Sequence, residues 1–463
     1  SLTMKKEKQI KMTHYRWVIC ALLFFATTIN YLDRQVLSLL QPLLSEKYSW
    51  SNLDYGYITS AFQIAYGVAV LFVGHIVDRI GVKKGYAWAI AIWSLGAAIH
   101  AFAVEIGGVM APIFNFLGIA LPVSVLGFMF SRVILAIGES GNFPAAIKTV
   151  GDWFPAKERS LATGIFNSGA NIGAIIAPLL VPFIAYRWGW QLAFIIVGVV
   201  GLVWLVFWFI FYNSPEAKLE KGYINQAEYQ HIKQDAIEEE VVEEGVPVEK
   251  ASWFQLLGYK QTWSFFFGKF FTDGVWWFFL FWLPAYLKAK YNMEGTEIML
   301  PLAVLYTLTM VGSIGGGWFP SYFINKGLET YKARMRAMLI IALIPLVVLF
   351  AQPFGHYTFW IPVILIGIGC SAHQAWSANI YSTVSDMFPN KAVASITGIG
   401  TMAGSLSGVI LSLLAGYLFD YFDGQGSIET GYTIMFTYCG IAYIIAWICM
   451  KTLVPKHKLV KGI

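Results

Sequence analysis

The sequence predicts an all-α integral membrane protein of twelve spanning helices in two similar six-helix bundles. Three observations carry this. Of 463 residues, 57% are hydrophobic and only 13% charged, with a mean hydropathy of +0.61, whereas an ordinary soluble domain has about 25% charged residues. Twelve segments hold the roughly 20 apolar residues that a bilayer span requires. The chain also repeats itself: "FPAKERSLATGI" from Phe154 and "FPNKAVASITGI" from Phe388 match at one offset of 234 residues, ungapped, at Phe, Pro, Lys, Thr, Gly and Ile. Parallel repeats about an axis normal to the membrane are a mark of secondary transporters, with a site between the halves near the midplane.

Taken in order, the first six spans fall at 14–42, 54–78, 84–106, 122–148, 157–185 and 190–212, and the second six at 261–290, 296–324, 333–352, 356–385, 390–421 and 429–453. Each is bounded by polar or turn-forming residues. The segment 107–121, long and apolar, reads as an outer loop between spans 3 and 4. The chain divides into a tail (1–13), a first bundle (14–212), a linker (213–260), a second bundle (261–453) and a tail (454–463). Within the linker, "INQAEYQHIKQDAIEEE" has the pattern of a short amphipathic helix, and the acidic run after it reads as a solvated connection.

Basic residues set the orientation. Lys5, Lys6, Lys8 and Lys11 precede span 1 and Arg16 stands at its start, further basic clusters follow spans 2, 4 and 8 and close the chain, while "DYFDGQGSIET" lacks Lys and Arg. The positive-inside rule then puts both termini in the cytoplasm. This placement also accounts for the net charge of +5, and nucleic acid is not an expected partner. No cleavable leader is expected, because "KKEKQIKMTHYR" runs directly into a full-length apolar segment. Cys20, Cys370, Cys439 and Cys449 sit in apolar stretches without metal-ligand spacing and read as core residues. No nucleophile–base pair, metal cluster or phosphate loop is present as a motif. Neither an enzyme nor a cofactor is expected, and the bilayer is the environment.

Charge inside a span costs roughly 3 kcal/mol per residue or more, and such residues are retained for pairing or function. They are few: Asp33 and Arg34 in span 1, Arg132 and Glu139 in span 4, Lys269 and Asp273 in span 7, and His373 beside Gln374 in span 10. Arg132 and Glu139 are seven apart, so they share one helical face at a separation of roughly 10 Å, too far to pair tightly. Lys269 and Asp273 are i,i+4 neighbours and can pair directly. The repeat offset carries Glu139 onto His373, so equivalent positions of the two halves present an ionisable group. Burial and a neighbouring cation act in opposite directions on a carboxyl's proton affinity, so Glu139 and Asp33 are candidates to load and release protons; Asp33 is expected to be controlled by Arg34 or by a cation on another helix, and its neutralisation to free Arg34 for an incoming anion. The planar donor fork of Arg34 suits a carboxylate ligand. Tyr31, Tyr66, Trp276, Trp277, Trp376, Asn167, Asn171, Asn379 and Thr401 supply rings and amides for a polyhydroxylated ring, and Lys269, His373 and Gln374 are further candidates for substrate contact.

A family resemblance enters here. "GHIVDRIGVKKG" (74–85) resembles the loop signature of the major facilitator superfamily, with Gly74, Asp78, Arg79, Gly81 and Lys83 at its positions. The second half's "GGGWFPSYFINKG" lacks the Asp-Arg pair. "YLDR" in span 1, Arg132 with Glu139, and "DWFPAKERSLATGIFNSGANIGAIIAP" resemble the anion:cation symporters of that superfamily; "KFFTDGVWWFFLFWLPAYL" and "SAHQAWSANIYSTVSDMFP" resemble its hexuronate branch. The resemblance implies the major facilitator fold and proton-coupled import of a sugar acid across a bacterial inner membrane by a monomer. It implies substrate contact at Arg34, Tyr31 and Tyr66, protonation at Asp33 and Glu139 with Arg132 tuning Glu139, and gating by Gly74, Asp78, Arg79 and Gly81. Ala170 stands where related galactonate carriers have a Gln, so that contact is absent or moves to Asn167 or Asn171. Another organic anion, an aldonate or sialic acid, is the alternative substrate. A cationic drug is disfavoured by Arg34 and Lys269.

Overall fold

A computed structural model describes residues 10–234, 253–316, 318–385 and 387–462. Among the described residues all regular structure is helical. In chain order the helices are α1 (Tyr15–Tyr48), α2 (Asn52–Ile80), α3 (Val82–Ile99), α4 (Ala103–Phe116), α5 (Val123–Glu139), α6 (Asn142–Trp153), α7 (Ala156–Trp188) and α8 (Trp190–Phe211) in the first half. Three short linker helices follow: α9 (Pro215–Glu220), α10 (Gln226–Ile232) and α11 (Trp253–Leu256). The second half holds α12 (Lys260–Tyr291), α13 (Met299–Gly316), α14 (Phe319–Asn325), α15 (Thr330–Leu343), α16 (Ala351–Phe354), α17 (Trp360–Ser385), α18 (Asn390–Gly424) and α19 (Ile428–Leu453).

Eleven stretches among the described residues are long and apolar enough to cross a bilayer. The sequence's seventh span is the exception. Its helix α12 forms over 32 residues, but Lys260, Lys269, Asp273 and four tryptophans lower its hydropathy. It packs against α18 and α19 of its own half and against α1 of the other.

Two expectations change. The outer loop at 107–121 is largely helix: a short 3₁₀ turn (His100–Phe102) joins α3 to α4, so span 3 runs on to Phe116. Apolar residues continue through this stretch, and α4 packs on α5 through paired glycines. A β-carbon on Gly127 would sit 1.6 Å from the Ala103 carbonyl oxygen, and one on Gly107 would sit 1.8 Å from that of Val123. Gly127→Leu is therefore expected to destabilise the fold by roughly 1–3 kcal/mol or more, seen as earlier thermal unfolding by tryptophan fluorescence in detergent; an unchanged melt would refute the close packing. Span 4 is also discontinuous. It breaks at Ser140–Gly141, directly after Glu139, and resumes as α6.

The linker helix α10 pins the start of α1. The Glu228 carboxylate, fully buried, accepts from the backbone N–H groups of Tyr15 (3.2 Å) and Arg16 (2.8 Å) and from the Thr13 hydroxyl, supplying the orphan donors of a helix N-terminus. Arg16 and His231 both bond Glu158 at 2.9 Å. Burial acts the other way, but these two bonds hold the Glu158 carboxyl below its usual range. The acidic run after α10 lies outside the described residues.

The two halves meet at the end opposite the chain termini. There the Asp420 carboxylate of α18 accepts from the backbone N–H groups of Asn52 and Leu53, both at 2.9 Å, and from the Asn52 amide at 3.2 Å. One half thus caps a helix of the other. A ladder of rings continues the seam inward between α2 and α12: Tyr55 on Trp282 (4.9 Å), Phe62 on Phe281 (6.0 Å) and Tyr66 on Trp277 (6.4 Å). The Tyr55 hydroxyl donates to the Phe281 carbonyl at 2.5 Å. At the terminus end of α2, His75, Asp78 and Arg79 are exposed, and a β-carbon on Gly74 would meet open space. Asp420→Ala removes three bonds across the closed end and is expected to shift the population toward opening there by roughly 1–2 kcal/mol. The check is faster thiol labelling of Leu53→Cys in the Asp420→Ala background; equal rates would show that the cap does not hold the seam.

Candidate functional site

Arg34 sits in the middle of α1 at the inner end of the ring ladder. Its Nε bonds Glu139 Oε2 at 3.0 Å, and its Nη2 donates to Asn30 Oδ1 at 3.0 Å. Four rings surround the guanidinium: Tyr31 at 4.8 Å, Tyr66 at 5.2 Å, Trp277 at 5.3 Å and Phe62 at 5.7 Å. Trp277 comes from the second half, so the box closes across the interface. Arg34 and Glu139 are 3% and 1% exposed, while Tyr31, Tyr66 and Trp277 are only half-buried. The charges lie behind a partly open aromatic wall. Stacking of cations on rings contributes about 0.5–2 kcal/mol per contact when desolvated.

The partner of Arg34 is Glu139, not its neighbour Asp33. Adjacent helical residues do not face one another, so Asp33 points away from the guanidinium. Both Asp33 oxygens are buried without a hydrogen-bond partner. Arg132 donates from Nη2 to the Arg34 carbonyl at 3.1 Å and lies 5.6 Å over the Phe62 ring, leaving Nη1 buried and unpartnered. It thus braces α1 behind the site. The break at Ser140–Gly141 leaves Glu139 at the end of α5, where its carbonyl accepts from the Asn30 amide at 3.4 Å.

The second half holds its own cluster. Lys269 Nζ bonds Asp273 Oδ2 at 2.9 Å and the Tyr381 hydroxyl at 3.1 Å, and lies 4.6 Å from that ring. His373 Nε2 stands 3.8 Å from Asp273 Oδ1, and its Nδ1 is 2.7 Å from the Tyr443 hydroxyl. The Trp276 ring stacks on His373 at 5.4 Å and 12°.

The remaining expected residues spread out. Asn167 is exposed on α7. Asn171 donates to Ser313 at 3.4 Å across the halves. Gln374 and Thr401 are half-buried, and the Thr401 hydroxyl donates to the Thr397 carbonyl one turn back. Trp376 and Asn379 are committed to packing. The Trp376 indole donates to the Gly268 carbonyl at 3.2 Å, and the Asn379 amide donates to the Gly316 and Ala375 carbonyls at 2.8 Å each. Asp78 bonds Lys148 of its own half at 2.9 Å, Arg79 is exposed, and Gly81 ends α2 at a φ of +88°. Asn30, Phe62, Tyr381 and Tyr443 were not among the expected residues. Asn30 carried a signal, standing one helical turn before Arg34; the others carried none.

The model of the Major Facilitator Superfamily matches residues 23–412. The hexuronate transporter of Escherichia coli (strain K12) is 30% identical over 421 residues, 89% of either chain. A probable galactarate/D-glucarate transporter of the same organism is 27% identical over 419 residues, 89% of this chain and 90% of that protein. Among solved structures, a bacterial homologue of the human lysosomal transporter Spinster, in an inward-facing and unoccupied conformation, superposes with a TM-score of 0.71 at 18% identity, covering 96% of this chain and 98% of that one.

Proposed function

The chain belongs to the Major Facilitator Superfamily and is a multi-pass membrane transporter, not an enzyme, and from that premise we propose that it imports a sugar-acid anion together with protons. The substrate is a hexuronate such as glucuronate or galacturonate. The observation that carries this reading is the Arg34–Glu139 pair at 3.0 Å inside a ring box built by both halves. A carboxylate ligand fits the guanidinium fork, and the half-buried Tyr31, Tyr66 and Trp277 offer faces for the sugar's apolar side. The names of the hexuronate and galactarate relatives support the substrate class.

The mechanism follows from one competition. Glu139 occupies the Arg34 fork that the substrate needs. A proton on Glu139 ends its claim on Arg34, and the substrate carboxylate takes the fork. Asp33 is the second proton carrier, because a buried carboxyl with no donor around it is a site for a proton rather than a charge. With both termini cytoplasmic in the bacterial inner membrane, the end joined by Asp420 faces outside. The halves rock about the central site, and the protons leave to the cytoplasm. One proton per monoanion moves no net charge. Two move one positive charge inward, worth about 2.3 kcal/mol per 100 mV, and solid-supported-membrane currents separate the two cases.

The test is uptake of labelled glucuronate by proteoliposomes with and without an inward proton gradient. Gradient-dependent accumulation is expected, and no uptake under either condition would reject the proposal. Stronger competition by galactonate or sialate than by unlabelled glucuronate would move the substrate to the alternative anions.

A further inference from the structure

The mechanism leaves Lys269, Asp273 and His373 without a task. All three line one buried cluster, and Asp273 keeps 14% of its side chain exposed. A buried ion pair is weak evidence for stability, since apolar residues of like volume hold helices equally well. The cluster also copies the plan of the Arg34 site: one cation, one acid that neutralises it, and rings around them. The two sites share a wall. Trp277 faces Arg34 at 5.3 Å, and its neighbour Trp276 stacks on His373.

We propose that Lys269 is a second anion subsite, and that sugar acids with a carboxylate at both ends, the aldarates, are held with one carboxylate on Arg34 and the other on Lys269. This rests on the sugar-acid reading above and specifies its substrate class. Asp273 is the counter-ion that gives way. When a ligand carboxylate takes Lys269, Asp273 turns toward His373 Nε2, which stands 3.8 Å away and is backed by the Tyr443 hydroxyl on its other nitrogen. The rest of the surroundings leaves Asp273 little other freedom: a β-carbon on Gly404 of α18 would sit 2.3 Å from its Oδ2. Helical rise puts Asp273 about 6 Å and Lys269 about 12 Å along α12 from Trp277. An extended six-carbon diacid with a hydrogen bond at each end covers a length of that order, measured from the ring that packs on Arg34.

The experiment compares uptake of labelled galactarate and labelled glucuronate in proteoliposomes, for the wild type and for Lys269→Gln, Lys269→Arg and Asp273→Asn. Wild type should take up both. Lys269→Gln should lower galactarate uptake roughly tenfold or more beyond its effect on glucuronate, because a charge-assisted contact to only one of the two ligands is lost. Lys269→Arg should restore most of the preference, which shows that the loss is not misfolding. Asp273→Asn should raise galactarate relative to glucuronate, because the cation is released. A parallel fall for both substrates in Lys269→Gln, or an unchanged ratio, would overturn the subsite and leave the pair as a helix clasp. Wild type that takes up glucuronate but neither takes up nor is inhibited by galactarate would overturn the subsite alone. Uptake of neither would overturn the sugar-acid reading with it.

Discussion

Arg34→Gln is expected to abolish uptake. The substitution removes the cation whose fork meets both Glu139 and the ring box, and it leaves Glu139 buried without its 3.0 Å partner. Losing one partner of a buried, hydrogen-bonded charge pair costs roughly 2–5 kcal/mol, or about thirtyfold to several-thousandfold in transport efficiency. Arg34→Lys separates charge from geometry. It keeps the cation but loses the fork, and is expected to retain a small, measurable fraction of uptake with a raised KM. Both variants are checked by initial uptake rates at matched reconstitution, and by substrate quenching of tryptophan fluorescence, since Trp277 lies against the guanidinium. An Arg34→Gln protein within threefold of wild type in both measurements would remove Arg34 from the site.

Glu139→Gln should uncouple the cycle while sparing exchange. Glutamine is nearly isosteric but never carries the negative charge that competes for Arg34, so the fork stays available to substrate at every pH. Substrate counterflow should persist, because it needs only binding and rocking. Accumulation against a gradient should fall: each pH unit is worth about 1.4 kcal/mol per proton, or tenfold in accumulation, and the variant loses Glu139's share of it. Binding, followed by the same fluorescence signal, should lose most of its dependence on pH. A Glu139→Gln protein that still concentrates substrate as wild type does would place the coupled proton elsewhere, with Asp33 the next residue to test.

Much of the fold was legible. Apolar length gave the spans, and the Phe154/Phe388 repeat gave the two halves, since both depend on composition and local pattern. The exceptions have local causes. Hydropathy understates α12 because tryptophan scores as nearly neutral and Lys269 with Asp273 count as charges, although the helix hides both. The 107–121 stretch looked like a loop because a second span begins too soon after it, and only the Gly107–Gly127 contact shows that it continues as packed helix.

The candidate site was half legible. Its charged members stood out because charge in a span is rare. Which acid serves which cation did not, since pairing across helices depends on rotation about each axis. Asp33 beside Arg34 in sequence suggested a pair, but the helix points them apart and brings Glu139 from 105 residues away. Trp376 and Asn379 looked like ligand contacts by type. Their donors are consumed by the Gly268, Gly316 and Ala375 carbonyls, which no pattern in the chain announces. The Asp273–His373 approach, which joins α12 to α17, was equally hidden.

The bond set at Asp420 carries a consequence for speed. Water can replace each acceptor at the first turn of α2, so breaking these bonds trades one set of hydrogen bonds for another of similar strength, and the buried rings beneath, Tyr55 on Trp282 first, supply the rest of the resistance. A latch of this kind resists by about 1–3 kcal/mol, no more than a bound ligand's preference for one conformation commonly supplies. Cargo of modest affinity is then enough to offset the latch itself, which leaves the ring contacts to decide how fast that end parts.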